Sequence, residues 1–312
     1  MILKNSIKLL GSNFISVWKL LAYKLVVLAI VAGLFCTTLG YLTNLSQFDI
    51  LIKSIANLFS TFSFITAPPD LMTSLYDVFA NLFALIAQIA VNLPFVLVFL
   101  VFLFAILLPY LWHLSDFAVS ETLFGYMASQ TKFGFTSSLI RNLQSANSYS
   151  WLYVFVVLPI NLLLVGIVVG LTKLATLSGV VALFAPMLAL IAILVVFSLK
   201  FTLLSSWSSA MTVTNANVFK GFVLSLRAVG RNFMKVWSMG IILVFAYMCV
   251  TLLTGMFGFV ILLPLYCFMV SVFGMILFFE NMGMRYYLDN ETIRQPKKLE
   301  QTDKIRKLKN VL

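Results

Sequence analysis

Six runs of about 20 residues, nearly free of charge, alternate with short segments that hold almost all of the cations. The runs occupy roughly 20–42, 88–112, 150–172, 179–204, 235–256 and 259–283. A helix of ~20 apolar residues crosses the ~30 Å hydrocarbon core of a bilayer. The pattern therefore predicts an all-α polytopic membrane protein with six transmembrane helices. Of the 21 Lys and Arg, only Lys53 and Lys173 fall in the odd-numbered loops. The amino end carries Lys4, Lys8, Lys19 and Lys24, the second loop Lys132 and Arg141, and the fourth Lys200, Lys220, Arg227, Arg231 and Lys235. The others lie beyond the last span. Cytoplasmic segments collect Lys and Arg, so both termini and the even loops are expected in the cytoplasm. The expected organisation is one transmembrane domain, 1–289, and a basic cytoplasmic tail, 290–312.

Composition agrees with the class. The chain is 62% apolar and 10% charged, with a mean hydropathy of +1.06, whereas a soluble domain is about a quarter charged. The net charge of +11 would suggest nucleic acid in a soluble protein. Here the cations flank the spans, where anionic head groups are the natural counter-charge, so membrane lipid is the expected partner and nucleic acid is not. Cys36, Cys249 and Cys267 all fall inside predicted spans and read as small apolar residues rather than as disulfide or metal ligands. No small-x-small cleavage site follows the first span, and Phe35 directly precedes Cys36. An uncleaved anchor helix is expected.

Residues 71–113 are too long for one crossing. Asp77, Asn81 and Gln88 interrupt the apolar residues of 71–90, a pattern that suits an interfacial amphipathic helix. A second crossing there would also place every later basic loop outside. One crossing is expected, starting near Asn92-Leu93-Pro94, with 43–87 outside and Pro68-Pro69 dividing that segment into two short helices.

Two stretches align without gaps. Ile7 to Trp18 and Leu226 to Trp237 both read G-x-N-F-x-x-V-W after a basic residue, and each precedes a predicted span. Their apolar residues share a helical phase: Leu3, Ile7, Leu10, Phe14 and Val17 match Phe222, Leu226, Val229, Phe233 and Val236. A third, weaker copy has Ile140, Arg141, Leu143 and Trp151. The second member of each pair of spans has Pro near its outer end, in Leu93-Pro94, Ala185-Pro186 and Leu263-Pro264, where its missing N–H costs least. Three helical-hairpin repeats are expected, each led by a cytoplasmic amphipathic helix.

The run Phe219 to Trp237, a juxtamembrane helix with basic residues followed by Asn-Phe and a Trp entering the next span, resembles the membrane domain associated with glycerophosphoryl diester phosphodiesterases and related uncharacterised six-span bacterial membrane proteins. The resemblance covers about the last third of the chain. It implies a multi-pass protein of a bacterial plasma membrane and carries no chemistry.

No P-loop, G-x-S-x-G, H-E-x-x-H or Cys/His metal cluster occurs in the sequence. His113, Asp116 and Glu121 are the only candidates for a catalytic or cation-binding group, and an interfacial polar role suits them better. Ionisable residues deep in a span would mark function. Lys24 reads as an amino-terminal flank, and Lys200 and Glu280 read as snorkelling to the cytoplasmic surface, which leaves almost none. Pro159 and Asn161 are the candidate kink or path, since Pro159 frees the carbonyl of Phe155 and Asn161 follows it closely. Gly166-x-x-x-Gly170 on the same span permits close helix approach. On the cytoplasmic face Lys8, Lys220, Arg227 and Arg231 are the candidate contacts for anionic head groups or for a protein partner. No catalytic residue, cofactor or metal is expected. The leading expectation is a non-enzymatic accessory or scaffold component, and the alternative is a permease subunit for a lipid-like or amphiphilic substrate, working with a separate ATPase.

Overall fold

The computed structural model describes residues 2–63, 68–129, 131, 133–177, 179–231, 233–288 and 293–294. It is almost entirely helical. An amino-terminal helix α1 (Ile2–Ser12) leads into α2 (Phe14–Leu42), and two helices follow, α3 (Ser46–Ser63) and α4 (Pro68–Asn92). Next come α5 (Pro94–Val101), a π-helical stretch Phe102–Leu107 and α6 (Leu108–Ser129). Further along are α7 (Phe135–Arg141), α8 (Leu143–Leu177), α9 (Gly179–Leu204), α10 (Trp207–Thr214), α11 (Val218–Gly230) and α12 (Phe233–Met282). Strands β1 (Tyr286–Tyr287) and β2 (Ile293–Arg294) pair antiparallel. Apart from Ile293 and Arg294, the expected tail 290–312 lies outside the described residues.

Seven described stretches have the length and apolarity to cross a membrane, one more than the six expected. The additional one is Thr73–Asn92, within α4. The division near Pro68-Pro69 is present, with Pro68 opening α4, but α4 is 25 residues long rather than short. It packs on α3, and on α8 and α9. Its end is fixed by Leu93, whose backbone at φ −138°, ψ 56° is not helical, because the residue before a proline is pushed out of the α region.

Helix α12 is helical over 50 residues, yet the rings of Tyr247 and Tyr266 are 4.7 Å apart. A straight helix would separate residues nineteen positions apart by about 28 Å. The chain therefore doubles back between them, and the first limb, beginning at Phe233, lies beside the second, ending at Met282. Helix α2 runs antiparallel to α5 and α6, as shown by the contact of Phe35 with Phe104 and by the bond from Tyr23 to the carbonyl of Leu111.

One end of the bundle is closed by a layer of short helices. Helix α1 packs on the end of α12, where Asn5 Nδ2 donates to Tyr286 Oη at 3.0 Å and Tyr286 Oη donates to Glu280 at 2.9 Å. Helix α10 ends at Asn215, which takes the left-handed conformation (φ 50°, ψ 37°) that asparagine tolerates. The chain then reverses into α11, and Gly221 lies against Met211 so closely that a Cβ would collide with it at 2.3 Å. The largest apolar cluster lies in this layer and the adjoining bundle, drawing Leu9, Val119, Leu123, Val229, Ile276 and Phe279 from four helices.

The two aligned stretches break their helices at nearly matching places, α1 ending at Ser12 with α2 starting at Phe14, and α11 ending at Gly230 with α12 starting at Phe233. Both bury Ser6 and Ser225, Leu9 and Ala228, Val17 and Val236 at corresponding positions. Phe14 meets Trp18 edge-on at 6.2 Å, and Phe233 lies 5.9 Å from Trp237. In the third stretch the break falls at Asn142, before α8, one helical turn earlier than the alignment on Trp151 expects.

Candidate ligand cavity

A cavity of about 360 Å³ lies where α2, α6, α8, α9, α10 and the second limb of α12 converge. The sequence builds each wall from residues at helical spacing. Helix α8 contributes Tyr149, Tyr153, Val157 and Asn161, four residues apart in turn, and so a single stripe. Helix α9 supplies Phe197, Lys200, Phe201 and Leu204, with Ser208 following on α10. Leu263, Tyr266, Cys267, Val270 and Ser271 of α12 close the opposite side.

The wall from α6 has a local cause. Pro109 cannot donate to the carbonyl four residues back and its ring crowds that turn. The π-helical stretch Phe102–Leu107 lies directly before it, a wider winding that relieves this kind of conflict and recurs at functional sites. Beyond it Trp112, His113 and Asp116 face the cavity from one side of the helix.

Behind this wall sits Lys24 of α2, whose exposure is 0%. Its Nζ donates to the carbonyl of Trp112, stands 3.7 Å from Asp116 Oδ1, and lies over the Trp112 ring at 4.2 Å from the centroid. Asp116 Oδ2 is 2.5 Å from His113 Nδ1, and the His113 ring lies against Tyr153 with centroids 3.7 Å apart. Lys24, Asp116 and His113 thus form one connected group. A buried pair of opposite charges recovers its desolvation cost only with further hydrogen bonds; here Lys24 has the Trp112 carbonyl and Asp116 has His113. The side chains of His113 and Asp116 each keep 18% exposure.

Lys200 differs from that group. Its nearest aromatic neighbours are Phe197 and Tyr153, with ring centroids 5.7 and 5.9 Å from Nζ, and among the described residues it makes no ion pair. The expectation that Lys200 snorkels to a surface is corrected: it lines the cavity. Glu280 is likewise engaged with Asn5 and Tyr286 rather than reaching outward. Lys24 is not a solvated flank either. Helix α2 begins ten residues before it, and α6 extends far enough to bring Asp116 alongside.

The three grouped candidates on α6 separate. His113 and Asp116 meet, but Glu121 is held by Arg141 and by Asn142 Nδ2, tying α6 to α7 and the start of α8. Asn161 lines the cavity and Pro159 does not. Gly166 and Gly170 do not mediate close packing, since a Cβ on either would meet nothing within 4 Å. Among the described residues no three His, Cys, Asp or Glu side chains converge as a metal site.

The four basic candidates, Lys8, Lys220, Arg227 and Arg231, are all exposed, and Arg231 Nη1 donates to the carbonyl of Asn281 at 3.4 Å. The face that α11 buries shares Val229 with the apolar stripe but is otherwise made of small residues. Gly221, Ser225, Ala228 and Val229 turn inward, because small residues let α11 approach α10 and α12. Phe219 is left 70% exposed, and Ile7 and Phe14 are exposed at the amino end. The exposed side of α11 thus presents Phe219 and Val223 next to Lys220 and Arg227.

Comparison with protein-family models, with curated proteins and with solved structures returns no match.

His113 and Asp116, grouped with Glu121, and Asn161, paired with Pro159, were legible in the sequence, whereas Lys24, Lys200, Tyr149, Tyr153 and Cys267 were not. The stripe Tyr149-Tyr153-Val157-Asn161 was a usable signal, because polar-edged residues repeated every four positions in an apolar span imply a face turned away from lipid.

Proposed function

We propose that this chain is the membrane component of a permease, taking a small amphiphilic molecule into an intramembrane cavity. The observation that carries this reading is the cavity itself, walled by apolar and aromatic side chains with Asp116, His113 and Lys200 on its surface and Lys24 behind them. Pockets of this volume lined mostly by apolar groups with a few convergent polar ones are the usual form of small-ligand sites. Charges enclosed within a membrane bundle are costly and mark binding or transport paths. A scaffold has no use for them, so the permease reading stands ahead of the scaffold reading. We assign the chain no reaction.

The topology in this proposal is six spans with both termini in the cytoplasm of a bacterial plasma membrane. The placement of cations supports it, as does the packing of α4 on α3, α8 and α9, which suits a hairpin lying across the outer ends of those helices. Reporters inserted after Gln47 and Leu177 should read outside, and reporters after Gln130 and Asn217 inside; reversal at Gln130 would make Thr73–Asn92 a seventh crossing. In the six-span arrangement Asp116, 22 positions after Pro94, lies about 33 Å along the helix from the outer surface, at the inner boundary of the hydrocarbon. The exposed Lys8, Lys220, Arg227 and Arg231 would meet anionic head groups there, and the chain's likeness to the phosphodiesterase-associated membrane domain rests on that same segment.

The test of function is whether the cavity holds a molecule. Protein purified in a mild detergent should release an amphiphile on extraction, detectable by mass spectrometry. Val157→Trp, which fills the cavity from α8, should lose it while keeping its gel-filtration profile. Equal recovery from both proteins would place the bound molecule outside the cavity and sink the reading.

A further inference from the structure

Resting on that reading, we infer that the ligand is an amphiphile with an anionic head group, and that Lys200 is the residue which recognises it. The first argument is the balance of charge. Lys24 and Asp116 stand 3.7 Å apart and offset each other, and Asp116 also holds His113. That leaves Lys200 at the cavity wall, its neighbours two ring faces and no carboxylate among the described residues. A lysine ammonium held largely away from water without a counter-charge is unfavourable. An anionic ligand group supplies that counter-charge when it binds.

The second argument is the layout of the walls. Helix α6 and the second limb of α12 run the same way, since Trp112 and Cys267 meet at the cavity and Phe124 meets Phe279 twelve residues further along each, and α9 joins them through Phe201 and Phe273. Asp116, Ser205, Ser208 and Ser271 therefore belong to one end of the cavity, and Leu108, Phe197 and Leu263, with Asn161 as the one polar side chain among them, to the other. The polar end suits a charged head and the apolar end a hydrocarbon or ring body. Lys200 sits between them, beside Tyr153. Carboxylate and phosphate monoester heads share the required chemistry.

The experiment measures equilibrium binding of radiolabelled dodecanoate to the full-length protein in a neutral detergent, with unlabelled competitors. Dodecanoate or dodecyl phosphate should compete, and whichever competes better identifies the head group. Dodecanol and dodecyltrimethylammonium should compete at least tenfold less well. Lys200→Gln should bind dodecanoate about tenfold or more weakly, the loss expected for one charge-assisted contact, while Lys200→Arg should retain most of it. Cys267 lines the same cavity from α12, so in a Cys36→Ser, Cys249→Ser background dodecanoate should slow its labelling by N-ethylmaleimide, locating the ligand. Equal competition by dodecanol and dodecanoate, or unaltered binding by Lys200→Gln, would overturn the inference and leave the permease reading standing. Failure of all four amphiphiles to bind, together with no molecule retained by the purified protein, would remove both.

Discussion

The second limb of α12 and helix α5 are equally apolar stretches with opposite fates. From Phe268 to Phe279 most residues of α12 are fully buried, with Phe273, Ile276, Phe278 and Phe279 at 0% exposure. Helix α5 buries none of its residues, and Phe95 stands 89% exposed. Hydrophobicity alone cannot separate them. Near the closed end, α12 is surrounded by α1, α6, α10 and α11, whose outer faces carry polar groups, so apolar residues there gain by leaving water. Along α5 the alternative environment is lipid, which is as apolar as another helix, and burial against protein offers little advantage. The closed end is packed like the core of a soluble domain, and the opposite end like a transmembrane span.

This contrast can be broken most severely at Gly274. A Cβ there would lie 1.9 Å from the carbonyl oxygen of Ser205, so α12 and the α9/α10 junction would have to part. Gly274→Ala should abolish recovery of monodisperse protein, whereas Gly166→Ala, with open space around it, should leave thermal unfolding in detergent within about 0.5 kcal/mol of the parent. Recovery of a stable Gly274→Ala protein would show that this contact is not needed. Phenylalanine truncations come next. Phe279→Ala removes a buried ring and should cost about 3–5 kcal/mol, and Phe95→Ala, at the lipid-facing end, should cost far less. Comparable losses would mean that both ends pack by the same rules. The smallest effect concerns the clamp between α6 and α7. Glu121→Gln keeps the shape but removes the charge that holds Arg141 and Asn142, and because Arg141 remains largely exposed to solvent the loss should be about 1 kcal/mol, read as a modest fall in unfolding temperature.

The same physics explains how much was legible beforehand. The apolar runs located the long helices, and Pro94 and Pro68 located breaks, because those signals are local. The surplus length of α6 and the early start of α2 were not apparent, since helices that run on into the closed layer lose the uniform apolarity that marks a span. Lys24 was misread for that reason: counted along the chain it flanks a span, but in three dimensions it stands against Asp116. The G-x-x-x-G pair permits close approach without requiring it, and the space around Gly166 and Gly170 is open. In α11 the apolar stripe outweighed Gly221 and Ser225 in the periodicity, although close packing selected the small residues.

Length and apolarity were enough to specify a helical chain with several stretches long and apolar enough to cross a membrane, because partition between water and hydrocarbon depends on each segment separately. Which charges would be enclosed, and together, depended on contacts between segments distant in the chain. Lys24, Asp116 and Lys200 belong to three different helices, and no local rule relates them. Only the packing of those helices around one cavity made two of the charges a pair and left the third facing the space between them.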